Sequence, residues 1–361
     1  MIVLHIDEQR TWRGGEQQAA YLVRGLQQRG HTCIIAGRPG TPFFDATWAG
    51  EGPLERVAAP FCGEVDPWSA WRVANAVKRF RVDVIHAHTS HAHTVACMAR
   101  ALAGRGRVIV HRRVDFSPKN TSINRWKYGL PDHYIAVCEQ VAVVLDAFGV
   151  PRRRISVVHS SIDPARFDVP PLARAELGVP DGVPLVGNVA ALVGHKDHAN
   201  LLAATKVALR AIPNLHLVIA GEGELRPAIE AEIRALGLGG HVSLLGHRTD
   251  VPRILRALDA FVLSSYAEGI GGATIEALAC ELPVVATAAG GVGEVVRNEE
   301  TGLLVPVRDG DALGQAMVRM LEDRALAGRL AHQGYRMVQE HFTVDALVAR
   351  TIEVYRHVLE E

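Results

Sequence analysis

The chain has 361 residues, 48% of them hydrophobic and 22% charged, with a formal net charge of zero. Such a composition excludes a disordered or fibrous chain, and the length exceeds the roughly 250–300 residues of a single core, so two domains are expected. Neutral charge argues against a general nucleic-acid binder, and no run of about 20 apolar residues is present to span a membrane.

The charge is unevenly shared. Residues 1–165 carry 21 Lys and Arg against 14 Asp and Glu, or +7, which leaves −7 for the remainder. A basic first half suits an anionic acceptor or peripheral contact with an anionic membrane surface. Ordinary variation between two domain surfaces explains it equally well. The five cysteines, Cys33, Cys62, Cys97, Cys138 and Cys280, form no CxxC pair. They are expected to be reduced thiols in a cytoplasmic protein. Met1–His5 runs directly into Asp7, Glu8 and Arg10, so it reads as a first strand and not as a signal peptide.

In chain order, Ile2–Ile6 is a strand and His5–Gly15 a polar loop ending in Gly14–Gly15. Helical spacing follows over Glu16–Gln28, and a second strand over His31–Ala36. This strand–loop–helix–strand unit is of the doubly wound kind. Helices are expected at Pro67–Phe80, His91–Leu102 and Glu139–Phe148, and strands at Val82–Ala87, Arg107–His111, His133–Val137 and Ile155–His159. Arg112–Lys127 reads as a basic loop or short helix. Ser160–Asp163, Pro164, Pro170 and Pro171 mark a linker. A second alternating series starts at Pro184–Val189, and after Pro306 only helices remain. The strands are almost continuously apolar, as sheets covered on both faces require.

The densest chemistry lies in Asp259–Pro306. Glu268 precedes the cluster Gly269, Ile270, Gly271, Gly272, and a helix pattern then carries Glu276. Two carboxylates eight residues apart thus bracket a glycine turn at a helix N-terminus, an arrangement able to hold both ends of a phosphate-bearing ligand. Upstream, Lys196 sits between a strand and a helix. His86 and His88, at the end of VDVIHAH, point to one side by strand alternation. A metal is one reading of that pair, but a zinc site would show a tighter carboxylate or cysteine set.

These features resemble family 4 of the GT-B glycosyltransferases over nearly the whole length. The most specific stretch is AEGIGGATIEALACELPVVATAAGGVGEVV, with weaker echoes in VVHSSIDPARF and GHRTDVPRILRALDAFVLSS. The resemblance implies an α/β protein of GT-B architecture, two Rossmann-like doubly wound parallel-sheet domains facing a central cleft. Its domains would be 1–165 on the acceptor side, 166–343 for the donor, and 344–361 as a terminal helix packing back on the first. It also implies a retaining, metal-independent glycosyltransferase moving a sugar from a UDP- or GDP-linked donor to a sugar or lipid-linked acceptor hydroxyl. No cofactor is expected, and polysaccharide or lipopolysaccharide assembly at the inner face of the cytoplasmic membrane is the implied setting.

On the same resemblance, Glu276 binds the ribose hydroxyls, as a carboxylate can for a vicinal diol. Glu268 faces the transferred sugar, and Lys196 meets the diphosphate, where leaving-group charge collects. Backbone amides of Ile270, Gly271 and Gly272 approach the ligand, Gly15 does so from the other domain, and His88 reaches the donor sugar. Arg112 and Arg113 are the expected acceptor-binding cations. The family's usual arginine shortly before Lys196 is missing. Three alternatives stay open: a GT-B epimerase or phosphorylase, a non-catalytic sugar-nucleotide binder, and a dehydrogenase. The last is disfavoured because no GxGxxG fingerprint with a following acid occurs.

Overall fold

Every strand pairing among the described residues is parallel. The structure, a computed structural model, describes residues 1–49, 53–180 and 182–361. Two α/β units result: Met1–Ser161 together with Val344–Glu361, and Ile162–Thr343.

The first unit holds seven strands: β1 (Ile2–Ile6), β2 (Thr32–Gly37), β3 (Glu55–Ala58), β4 (Val84–Ala87), β5 (Arg107–Arg112), β6 (His133–Ala136) and β7 (Ile155–Val157). Their order is β3-β2-β1-β4-β5-β6-β7. The second unit holds β8 (Leu185–Val189), β9 (His216–Ala220), β10 (Val242–Gly246), β11 (Ala260–Leu263), β12 (Val284–Thr287) and β13 (Leu303–Val305), ordered β10-β9-β8-β11-β12-β13. Both sheets therefore reverse strand order once, between β1 and β4 and between β8 and β11. In open α/β sheets, ligands bind beyond the carboxyl ends of the strands at that reversal.

The inner strands of each sheet are buried on both faces because helices cover both, whereas the edge strands β3, β7, β10 and β13 are only partly buried. In the first unit Val3, Val84, Ile109 and Ile135 share one core with the helix Gly14–Gln28 and the terminal helix Val344–Glu360. In the second, Val186, Leu217, Ile219 and Val262 pack with Leu201, Leu313 and Leu330. Ile162 N donates to Phe342 O at 2.8 Å and Ile162 pairs with Thr343, so the chain enters and leaves this unit side by side.

Three expectations are corrected. Gly14 and Gly15 are not loop residues; they form the first turn of the helix Gly14–Gln28, with Arg13 as its N-cap. Strand β3 escapes the apolar pattern because it is an edge strand with exposed Glu55 and Arg56. The strand expected over Ile155–His159 ends at Val157. No disulfide joins the five cysteines, and Cys33, Cys97 and Cys138 are buried. No helix among the described residues is long and apolar enough to cross a membrane.

Candidate functional site

In the second unit, the loops after β8 and β11 are tied together at the reversal point. Tyr266 N donates to His195 O at 3.0 Å, and Ser264 Oγ donates to Lys196 O at 2.9 Å. Asp197, in the left-handed region at φ 51°, caps the helix His198–Ala208 and turns Lys196 outward from it. Lys196 Nζ then meets Glu268 Oε1 at 2.5 Å, and Ser265 Oγ donates to the same oxygen at 2.8 Å. The two charged side chains are 19% and 10% exposed, so the pair is reachable but only thinly hydrated. A cation and a carboxylate are thus fixed at one point by strand order, 72 residues apart in sequence.

The glycine turn follows. Gly271 sits at φ 73° as N-cap of the helix Gly272–Ala279, and Thr274 Oγ1 donates to its carbonyl at 2.5 Å. A β-carbon at Gly271 would lie 3.1 Å from Val292 Cγ2 on top of the unfavourable φ, so only glycine fits there. Gly291 N donates to Gly269 O at 3.1 Å and holds the turn against the next loop. The amides of Ile270, Gly271 and Gly272 have no acceptor among the described residues. Free amides at a helix N-terminus attract an anion. One turn into the helix, the partly buried Glu276 carboxylate has no hydrogen-bond donor among the described residues. Burial raises its pKa, and the charge of Arg166 opposes that shift.

Sequence reasoning missed two cations here. Arg166 acts on Glu276, and the Arg308 guanidinium lies 4.3 Å from the ring centroid of Tyr266. Arg166 lies in the stretch VVHSSIDPARF, but its sequence setting does not reveal that it meets Glu276, and Arg308 arrives from a segment remote in sequence.

In the first unit the reversal point carries histidines. His5 on β1 is in register with His86 on β4, and both lie on the Val3–Val84–Ile109 face, as do His88 and His111. His88 Nε2 and His5 Nδ1 are 3.0 Å apart, and His86 Nδ1 is 2.6 Å from the Tyr355 hydroxyl of the terminal helix. Arg113 approaches His88 Nδ1 at 3.4 Å and His111 Nδ1 at 3.2 Å, and its other nitrogen donates to His88 O at 3.3 Å. A guanidinium only donates, so both Nδ1 atoms accept. His88 must then carry its proton on Nε2 and give it to His5. His5, His86 and His88 bring ligand atoms within 4.8 Å of one another. A dication there would displace the His88–His5 bond and face the Arg113 cation through His88. The donor set therefore fits a hydrogen-bonded network better than a metal centre.

Sequence reasoning also missed Asp7, 1% exposed just beyond the end of β1. Burial, with Glu16 and Glu8 nearby, raises its pKa to about 8. Gly15 lies under Arg113, whose Cδ would be 3.9 Å from an added β-carbon. Arg112 is turned inward: it donates to Tyr128 Oη at 2.8 Å and to Phe116 O, and its Nε is buried without a partner among the described residues. Its fork braces the chain from 112 to 116.

The buried histidines set an acid limit on stability. Burial lowers His5 and His93 to about 3, and His86, His88 and His111 well below their ordinary value. Between pH 6.5 and about 3 the unfolded chain takes up protons that the folded chain refuses, so stability is lost as pH falls. The slope is about 1.4 kcal/mol per pH unit for each such histidine. Asp7 has the opposite sign: its contribution is whole below its unfolded pKa near 4 and is lost as pH rises through about 8. Melting temperature is expected to drop on the acid side from pH 6.5, with Asp7→Asn flattening the alkaline limb. A melting curve unchanged between pH 7 and 5 contradicts the neutral, buried histidines.

Two family descriptions match the chain, "Glycosyltransferase Family 4" over residues 12–166 and "Glycosyl transferases group 1" over residues 171–337. The chain is 30% identical to the lipopolysaccharide core biosynthesis glycosyltransferase LpsE of Rhizobium meliloti, over 54% of this chain and 56% of that protein. It is 28% identical to the UDP-Gal:alpha-D-GlcNAc-diphosphoundecaprenol alpha-1,3-galactosyltransferase of Escherichia coli, over 69% of each. The match thus spans little more than half of the first relative's length. Among solved structures, Anabaena HepE in complex with UDP superposes with a TM-score of 0.85 at 21% identity, covering 99% of this chain and all of that one. At that identity the likeness is one of fold, a GT-B-like pair of Rossmann-like sheets.

Proposed function

The chain belongs to the group 1, family 4 glycosyltransferases, a family of retaining enzymes, and we propose that it moves a sugar from a UDP-linked donor to an acceptor hydroxyl in lipopolysaccharide or polysaccharide assembly. The observation that carries this reading is the Lys196–Glu268 pair set beside three acceptor-free amides and the donor-free carboxylate of Glu276. Lys196 and the amides of Ile270, Gly271 and Gly272 take the diphosphate and the charge that develops as it leaves. Glu268 holds hydroxyls of the transferred sugar. Glu276 accepts from the ribose diol. In the first unit, His88 offers its Nε2 proton to a substrate hydroxyl in place of His5, and Gly15 and Arg113 line the same end of that sheet. Arg112 supports the acceptor side through the segment it braces. The choice of UDP follows HepE, solved with UDP and with UDP-glucose. The acceptor class follows LpsE and the undecaprenol-linked substrate in the Escherichia coli enzyme's name.

Thermal shift against UDP-, GDP-, ADP- and CMP-linked sugars tests the donor. A ligand at about 100 times its Kd stabilises by about 2.7 kcal/mol, so the UDP sugars are expected to raise the melting temperature selectively. Preference for another nucleotide, or for none, overturns the assignment. Glu276→Ala separates binding from structure. Two charge-assisted hydrogen bonds contribute about 3 kcal/mol or more together, so UDP affinity is expected to fall about a hundredfold. The free protein's melting temperature should hold or rise, because the carboxylate has no donor among the described residues to lose. Parental affinity in a destabilised variant reverses the assignment.

A further inference from the structure

Large apolar side chains are unusually exposed on the first unit along two short segments. Val65, Trp68 and Trp71 lie at the start of the helix Pro67–Phe80, and Phe116, Ile123 and Trp126 lie in and before the helix Ser122–Gly129. Their exposure runs from 49% at Trp71 to 75% at Ile123. Three of the chain's five tryptophans are among them. A soluble domain has no internal reason to hold so much aromatic surface in water.

The two segments are joined and braced. Lys127, itself buried, pairs with Glu64 at 2.6 Å and donates to Ser90 O at 3.1 Å, so the end of the second helix is fixed beside the residue preceding Val65. Trp68 and Trp71 stack with centroids 5.1 Å apart. Phe116 is held from behind by Arg112, which bonds its carbonyl and covers its ring at 5.5 Å. These side chains therefore protrude because buried polar contacts hold their backbone in place.

Charge accompanies the aromatics. Arg72, Lys119 and Arg125 are exposed on the same segments, and none of them pairs with a carboxylate among the described residues. Of the acids on and beside these segments, Glu64 is taken by Lys127, and Asp66 by the amides of Cys62 and Ser69 and the Ser69 hydroxyl, while the charge of the half-buried Asp115 acts on Arg112.

The geometry points to a membrane-docking face: Val65, Trp68, Trp71, Phe116, Ile123 and Trp126 enter the interfacial layer of a bilayer whose anionic headgroups are met by Arg72, Lys119 and Arg125. Tryptophan settles at the headgroup level, where its ring is apolar and its N–H stays wet. Unpaired cations close by add attraction to anionic lipid, and one kind of anchor alone binds weakly and reversibly. Protruding single side chains suit a fluid surface that closes around them, whereas a folded partner needs a matching pocket for each.

The test needs neither donor nor acceptor, so it stands apart from the enzymatic assignment. Full-length protein is floated with vesicles of phosphatidylcholine alone and with vesicles containing about one-third phosphatidylglycerol. Binding is expected only to the anionic vesicles, weakening as salt rises, with a blue shift of tryptophan emission. Ile123→Ser with Trp126→Ser is expected to cut partitioning about tenfold, as is Lys119→Glu with Arg125→Glu. Because these side chains are exposed, the melting temperature should not move, which separates lost docking from lost folding. Failure of the parent to float, or equal flotation of parent and Ser variant, overturns the proposal. So does a parent that stays off vesicles but forms a dimer, by light scattering, that the Ser variant loses, since the face then serves a second copy of the chain.

Discussion

Lys196→Ala is expected to lower kcat by a factor of about 10² to 10³, with a smaller loss of donor affinity. The reasoning starts from the leaving group. Breaking the bond between sugar and diphosphate places negative charge on the phosphate, and removing one fixed partner of such charge costs about 10²–10³ in rate. Lys196 is 19% exposed, so its field is only partly screened. It is also held in place: its carbonyl accepts from Ser264 Oγ, and its ammonium is aimed by Glu268. The substitution has a second consequence, because among the described residues Glu268 keeps only the Ser265 hydroxyl as a hydrogen-bond partner. Lys196→Ala should therefore also weaken the hold on the transferred sugar, while Lys196→Arg should recover part of kcat by restoring the cation in a bulkier shape. A double-mutant cycle with Glu268→Gln reads the coupling directly. If donor turnover and hydrolysis both proceed in Lys196→Ala at the parental rate, the cation does no electrostatic work on the leaving group.

The strands were legible because burial on both faces writes them as nearly continuous apolar runs, as in Ala260–Leu263, which is apolar and buried throughout. The edge strand Glu55–Ala58 was not, since an edge need not be apolar on both sides. Lys196 and Glu268 could each be singled out from their local setting, but their contact could not. It exists because β8 and β11 are neighbours while β9 and β10 lie on the far side of β8. The histidine network was half legible. His86 and His88 share a strand and a face, whereas His5 and His111 come from other strands and join through register alone. Arg112 shows the reverse difficulty. Beside Arg113 in a basic stretch it reads as a surface cation, yet Tyr128 from the next helix and the Phe116 carbonyl draw it inside.

Removal of residues 344–361 is expected to unfold the first unit while leaving the second intact. The helix Val344–Glu360 buries Leu347, Val348, Ile352, Val354, Tyr355 and Val358 in the first unit's core. At roughly 1.5–3 kcal/mol per buried side chain, reduced for a compact unfolded state, that is of the order of the whole 5–15 kcal/mol that holds a domain together. Limited proteolysis of the shortened chain should digest residues 1–161 and spare a fragment near 162–343; survival of both would contradict the helix as part of the first core. Two point variants read the same contact more finely. Tyr355→Phe keeps the ring but leaves His86 Nδ1 without its partner at 2.6 Å, which costs about 1–3 kcal/mol for a buried group. Gly25→Ala sets two effects against each other. Helix propensity favours alanine by about 1 kcal/mol. A β-carbon at Gly25, however, would lie 2.4 Å from Val348 Cγ2, so the terminal helix must shift to admit it. Packing outweighs propensity here because overfilling a close-packed core costs about 1–3 kcal/mol. Gly25→Ala is therefore expected to lower the melting temperature in the full chain, and a rise would mean that the terminal helix does not press on Gly25 in solution.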